Sequence, residues 1–281
     1  MAAIFRNYLS RYLGQILGWG LSLALIGGYL VTFYDTFAKQ SSIFVEAIKG
    51  YPPELLAFFG NMDKIYTPGG FLDTEFFSYM PIILGVFALL AGGSLLVGDE
   101  EKGILDLVLA YPVSRLSLFV GRLAGFLVSL LGILFITWVG FVIMLSKSTM
   151  KVSPAELTLP LISLFVLMVF FGTFALLLSM LLPSARLAAT VSGLVLVAGF
   201  FISSLARVDD KLKEIARFSP LNYYQGGMAV AGLDWKWFGG LLGFALLFIL
   251  LAWLRFARRD IRVGGEGGWK MPLLTTAKTA N

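Results

Sequence analysis

The sequence predicts an all-α membrane protein with six transmembrane helices. The first observation behind this is the spacing of apolar runs. Leu13–Phe33, Phe76–Val97, Leu123–Leu145, Leu157–Leu182, Leu187–Leu205 and Trp237–Leu254 each approach the roughly 20 residues that cross a hydrocarbon core about 30 Å thick. The second is composition. Of 281 residues, 58% are hydrophobic and 14% charged, too little polar surface to coat a water-soluble domain of this length. The third is the placement of charge, which gathers between the runs rather than inside them.

Residues 1–12 precede the first run. Ile4, Phe5, Tyr8, Leu9 and Tyr12 share one helical face, with Arg6, Asn7, Ser10 and Arg11 elsewhere, as in a helix lying in the membrane interface. A cleavable signal peptide is disfavoured, because the run that follows is long and no small-residue cleavage pattern ends it. Between spans one and two, Ile43–Ile48 with Gly50 as a stop reads as one short surface helix. Pro52-Pro53-Glu54-Leu55-Leu56 reads as a second, with proline in its first turn. Thr67-Pro68-Gly69-Gly70 reads as a turn into span two.

The loop after span two runs from Asp99 to Arg115. Three acids open it, where a helix dipole favours negative charge; Pro112 closes the helix; Ser114 caps the next. A helix over 99–111 follows. Pro183-Ser184-Ala185-Arg186 is a tight hairpin between spans four and five. Residues 208–218 read as an amphipathic helix, and the glycines of 263–281 as a flexible tail. The whole chain, 1–281, reads as a single membrane domain.

With six spans both termini share a side. Arg255, Arg258, Arg259 and Arg262, directly after the last span, place that side in the cytoplasm of a cell-membrane protein. No His or Cys is present, which removes imidazole relays, thiolate metal sites and Ser–His catalysis. The basic residues sit at the ends of spans rather than on a soluble face, so nucleic acid is not an expected partner; lipid is. The runs hold almost no ionisable group. Arg122 lies near the end of span three, where its side chain can snorkel. An ion-coupled carrier normally keeps charge at mid-membrane. No phosphate-binding Gly-x-x-x-x-Gly-Lys-Ser/Thr loop is present, so the chain itself holds no ATP site of that kind. Gly-x-x-x-Gly pairs recur at Gly14/Gly18, Gly121/Gly125 and Gly239/Gly243, each a place for close helix approach, with the first pair a candidate contact between two copies.

Asp99-Glu100-Glu101-Lys102-Gly103-Ile104-Leu105-Asp106-Leu107-Val108-Leu109-Ala110-Tyr111-Pro112-Val113-Ser114-Arg115 resembles the first cytoplasmic loop of permease subunits of type-2 ATP-binding-cassette transporters. Ile104 stands where threonine is common. Phe218-Ser219-Pro220-Leu221-Asn222-Tyr223-Tyr224 and Phe256-Ala257-Arg258-Arg259-Asp260-Ile261 resemble that family's outer motif and cytoplasmic exit. The resemblance implies a half-transporter that pairs with a second permease chain, as a homodimer, and docks two copies of a separate ATPase. ATP and magnesium then belong to the partner, with no cofactor in this chain. It further implies that 99–111 is the coupling helix, with docking carried by Glu100, Glu101, Lys102, Gly103, Leu105 and Asp106. Residues 1–12 match the family's elbow helix, and Phe200 and Phe201 on span five are candidate pathway residues. Export of an apolar or amphipathic compound is the implied activity. An ion-coupled secondary carrier and a non-transporting membrane anchor or signalling component are the alternatives.

Overall fold

The computed structural model describes residues 1–48, 50–59, 64–103 and 113–258. α1 is one unbroken helix, Ala2–Ile48. No proline interrupts it and no cap divides it, so the expected interfacial segment 1–12, span one and the first surface helix are continuous. Its 47 residues reach about 70 Å, more than twice a hydrocarbon core, so both ends project beyond the apolar layer. α1 packs along α6 (Arg115–Leu145). Gly121 and Gly125 of α6 lie directly against Ile4 and Tyr8 of α1, so this glycine pair is spent on a contact within the chain. An added Cβ at Gly14, Gly18, Gly239 or Gly243 meets nothing within 4 Å, so those pairs face outward.

The second short surface helix is present as α2, Pro53–Leu56, with proline in its first turn, running into a 3₁₀ turn at Ala57–Phe59. The second membrane crossing departs from expectation. Thr67 accepts a hydrogen bond from the Gly70 amide at 3.0 Å and Pro68 takes the first helical position, so Thr67-Pro68 starts a helix, α3 (Pro68–Leu72), rather than a turn. A π-helical turn follows at Asp73–Phe77. Ser78 N donates to Asp73 O at 2.8 Å, the longer reach that defines such a turn. α4 then runs Met80–Gly93, bent 48° from the preceding segment. Pro81 explains the restart. It has no N–H to extend the incoming helix and is suited to the first turn of a new one. α4 alone spans about 21 Å, so the bent pair together makes the crossing.

Six further α-helices follow among the described residues. α5 is short, Val97–Glu101. α6 starts eight residues before the expected span, capped by Ser114, which accepts from Ser117 N at 3.1 Å. α7 is Pro154–Leu181 and opens with a full capping box between Ser153 and Glu156. α8 is Ala185–Leu205, capped by Ser184; α9 is Asp210–Ala216; α10 is Trp235–Arg258. Among the described residues, five helices are long and apolar enough to span a membrane, or six with the bent pair counted as one.

α7 is the central post, with α4, α6, α8 and α10 packed around it. It is buried on nearly every side, while α10 shows most of its surface outward. Where α4 crosses α7, a Cβ at Gly92 would collide with the Gly172 carbonyl, so the two backbones touch.

Cross-chain bonds sort the ends. Arg11 of α1 meets Asp99; Glu101 meets the start of α8; Arg115, at the start of α6, reaches the carbonyls of Phe256 and Ala257 at the end of α10. The beginning of α1 and the end of α10 therefore lie at one end of the bundle, the terminal end. At the other end Asp35 of α1 accepts from Ser148 and Thr149 of the α6–α7 loop.

Candidate functional site

The terminal end is organised around the acids between α4 and α6. α4 ends at Gly93, and Ser94–Leu96 turn the chain into α5. This turn aims Asp99 at two arginines. Its Oδ2 accepts from Arg122 Nη2 at 2.5 Å, and both carboxylate oxygens accept from Arg11 Nη1 at 3.2 Å. Arg122 Nη1 also donates to the Leu95 carbonyl at 2.9 Å. Arg122 and Asp99 are buried, whereas Arg11 is half exposed. The expectation that Arg122 snorkels is thus corrected. An opposite charge 23 residues earlier in the chain lies within reach, and a charge-assisted bond satisfies the guanidinium better than stretching toward the interface.

Glu100 is buried alongside. Glu101 is exposed and its Oε1 accepts from the Ala185 amide at 2.7 Å, placing a negative charge on the first amide of α8, at the positive end of that helix dipole. Lys102 is exposed. Gly103 takes φ +66°, a left-handed conformation in which its amide donates to the Glu100 carbonyl at 3.0 Å. The expected helix 99–111 is therefore not continuous: α5 begins earlier, at Val97, and Gly103 stops it. Leu105 and Asp106, and the rest of 104–112, lie outside the described residues, as do Arg259, Arg262 and the expected tail 263–281. Two residues thus join the loop to three helices: Asp99 to α1 and α6, Glu101 to α8.

A second polar cluster occupies the opposite end, around an acid that the sequence reading did not single out. Asp73, inside the π-helical turn, is buried and accepts from the Gly227 amide at 2.8 Å. Gly226 follows at φ +49°, and a side chain there would strike the Asp73 carboxylate. Tyr224 donates its hydroxyl to the Phe77 carbonyl at 3.0 Å. Burial raises the Tyr224 pKa well above the tyrosine range, and the charge of Asp73 adds to the rise. Surrounding protein lowers the pKa of Arg207, just past α8, while Asp73 pulls it back up. These groups border a cleft of about 420 Å³ that Phe58, Phe200 and Trp237 also line. Phe200 thus faces this cleft. Phe201 is half exposed and meets the Phe58 ring at 5.3 Å, edge to face. The signal for the cluster was present as two acids, Asp73 and Glu75, at the edge of an apolar run, a few residues after a Thr-Pro helix start.

The family model for ABC-2 family transporter proteins matches residues 3–261. The chain belongs to that family. It is a type-2 ABC transporter permease, a membrane transport component whose family implies an ABC ATPase partner. No curated protein matches it. Within this ABC-2 permease the match runs through both polar clusters and through the loop resemblance read from the sequence.

Proposed function

We propose that this ABC-2 permease is the membrane-spanning half of an ATP-driven exporter of a small apolar or amphipathic compound. Two chains pair in the cell membrane with their termini in the cytoplasm. Each docks one separate ATPase, which supplies the ATP and magnesium. The segment beginning at Asp99 is the handle. ATP binding closes the partner ATPases, and their motion enters through residues 100–111. The observation that carries this reading is the clamp: Asp99 and Glu101 tie that segment to α1, α6 and α8 at once. A displacement of the segment cannot leave those helices in place. Because α4 is joined to the same segment and crosses α7 backbone to backbone, the rocking reaches the opposite end of the bundle.

The opposite-end cleft at Phe200, with Phe201 at its edge, then serves as part of the pathway. The open glycines Gly14 and Gly18 serve as a contact between the two copies. An apolar or amphipathic substrate suits spans whose one deeply placed cation, Arg122, is already matched by Asp99.

The test is coupling. Glu101→Lys combined with Asp106→Lys reverses charge on the handle at positions away from the Asp99–Arg122 pair. Membrane insertion and the elution profile should be unchanged, while transport-coupled ATPase activity of the assembled complex falls by about tenfold or more, the loss of roughly 1.4 kcal/mol of docking or coupling energy. Unchanged stimulated ATPase activity overturns the handle.

A further inference from the structure

Beside the Asp99 clamp lies a cleft of about 600 Å³ between the first turns of α1, the α4–α6 connection and α6. Four charged residues line it: Arg11, Lys102 and Arg122 against a single carboxylate, Asp99. Asp99 already serves both arginines, Glu101 is turned away onto the Ala185 amide, and Glu100, buried beside Asp99, is not part of the lining. Positive charge is therefore in excess there. Tyr8 also lines the cleft. It is buried to within 7% of its surface with its ring stacked on Tyr12 at 4.4 Å, and its hydroxyl makes no hydrogen bond of good geometry, Tyr12 being the polar group beside it. A buried hydroxyl left unmatched is destabilising unless something accepts from it. Excess cations and an unmatched donor call for an anion with several acceptor oxygens.

The rest of the lining identifies the kind of anion. Ile4 and Leu118 give the cleft apolar walls. About 20–27 Å further along the same face of α1, Leu25, Ile26 and Tyr29 are exposed, within reach of the chains of an amphiphile whose head sits in the cleft. A phosphate group joined to hydrocarbon matches both halves.

We propose that this cleft binds the headgroup phosphate of an anionic phospholipid, held by Lys102, Arg11 and the Tyr8 hydroxyl, with its chains along α1. The bound lipid bridges α1 to the residues just before 104. The site stands on this geometry alone and does not require that the handle reading be right, because its assay contains no ATPase.

The experiment is native mass spectrometry of the purified full chain released from detergent with phosphatidylglycerol or phosphatidylcholine added. A site of this charge retains phosphatidylglycerol over phosphatidylcholine. Lys102→Gln removes one surface cation and should weaken phosphatidylglycerol binding about fivefold, and Tyr8→Phe by a further few-fold. Both positions tolerate the change: Lys102 is exposed, and phenylalanine keeps the Tyr8 ring. Leu251→Ala, at an exposed position on α10, should leave binding unchanged. Equal retention of the two lipids, or unchanged binding in both Lys102→Gln and Tyr8→Phe, overturns the site. Displacement of bound phosphatidylglycerol by inorganic phosphate at about its own concentration assigns the cleft to a free anion and overturns the lipid.

Discussion

Asp99→Asn isolates the clamp. The substitution keeps the shape of the side chain and removes its charge, leaving Arg122 buried with the Leu95 carbonyl at 2.9 Å as its remaining described partner. Removing one member of a buried pair costs about 3–5 kcal/mol, since the other charge stays buried and unmatched. The low end applies here because the carbonyl persists, so about 3 kcal/mol is expected, or a fall of roughly 6–12 °C in unfolding midpoint for a chain of this size. Arg122→Met leaves Asp99 facing Arg11 at 3.2 Å, a half-exposed and water-screened pair, so the loss is smaller, about 1–2 kcal/mol. The double variant removes both charges and should cost less than the two singles summed, with a coupling of at least about 1 kcal/mol. Intrinsic tryptophan fluorescence during thermal unfolding in detergent reads all four proteins. A midpoint for Asp99→Asn within about 2 °C of the parent, or strictly additive losses, would refute the buried pair as the organiser of the terminal end.

Gly92→Leu should abolish stable purification, because its side chain would occupy the place of the Gly172 carbonyl at the α4–α7 crossing; size-exclusion chromatography after membrane extraction checks it. Gly14→Leu with Gly18→Leu meets nothing within the chain, so the monomer should unfold as the parent does while any two-copy species measured by crosslinking declines. Gly103→Ala places a Cβ on a left-handed backbone at a cost of about 1 kcal/mol, and should lower the midpoint by roughly 2–4 °C in the same fluorescence assay. The Asp210 carboxyl, bonded to Lys213, is held below its ordinary 3.8. A depressed acid stabilises above its unfolded pKa and loses that contribution as pH falls through its folded one. The bridge should thus be intact at neutral pH and open only below about pH 3.8, as followed by the Asp210 side-chain carboxyl resonance.

The long apolar runs were legible because a membrane span needs only length and hydropathy, and α6, α7, α8 and α10 each cover the run expected for them. The cap at Ser114 was legible for the same local reason: a hydroxyl three residues from the amide it serves. Span two was misread because its break comes from the π-helical turn and Pro81, and the run of apolar residues passes through both without interruption. The joining of residues 1–12 to span one depended on what was missing, a cap or a proline, and amphipathic patterning cannot register that. The Asp99–Arg122 pair was hidden for a different reason. Its members lie on separate helices 23 residues apart, and no periodicity links positions that meet only when α5 and α6 pack. Asp73 and Arg207 are farther apart still, brought near one another by the chain's return past α8.

The most direct measurement is uphill transport in sealed vesicles. The purified permease reconstituted alone should fail to accumulate any solute against its gradient, under an imposed salt or pH difference and with ATP present. Adding the cognate ATPase and ATP should start accumulation, and Glu101→Lys with Asp106→Lys should stop it. Robust accumulation by the chain alone, driven by a salt or proton gradient, contradicts a gate moved by an external motor.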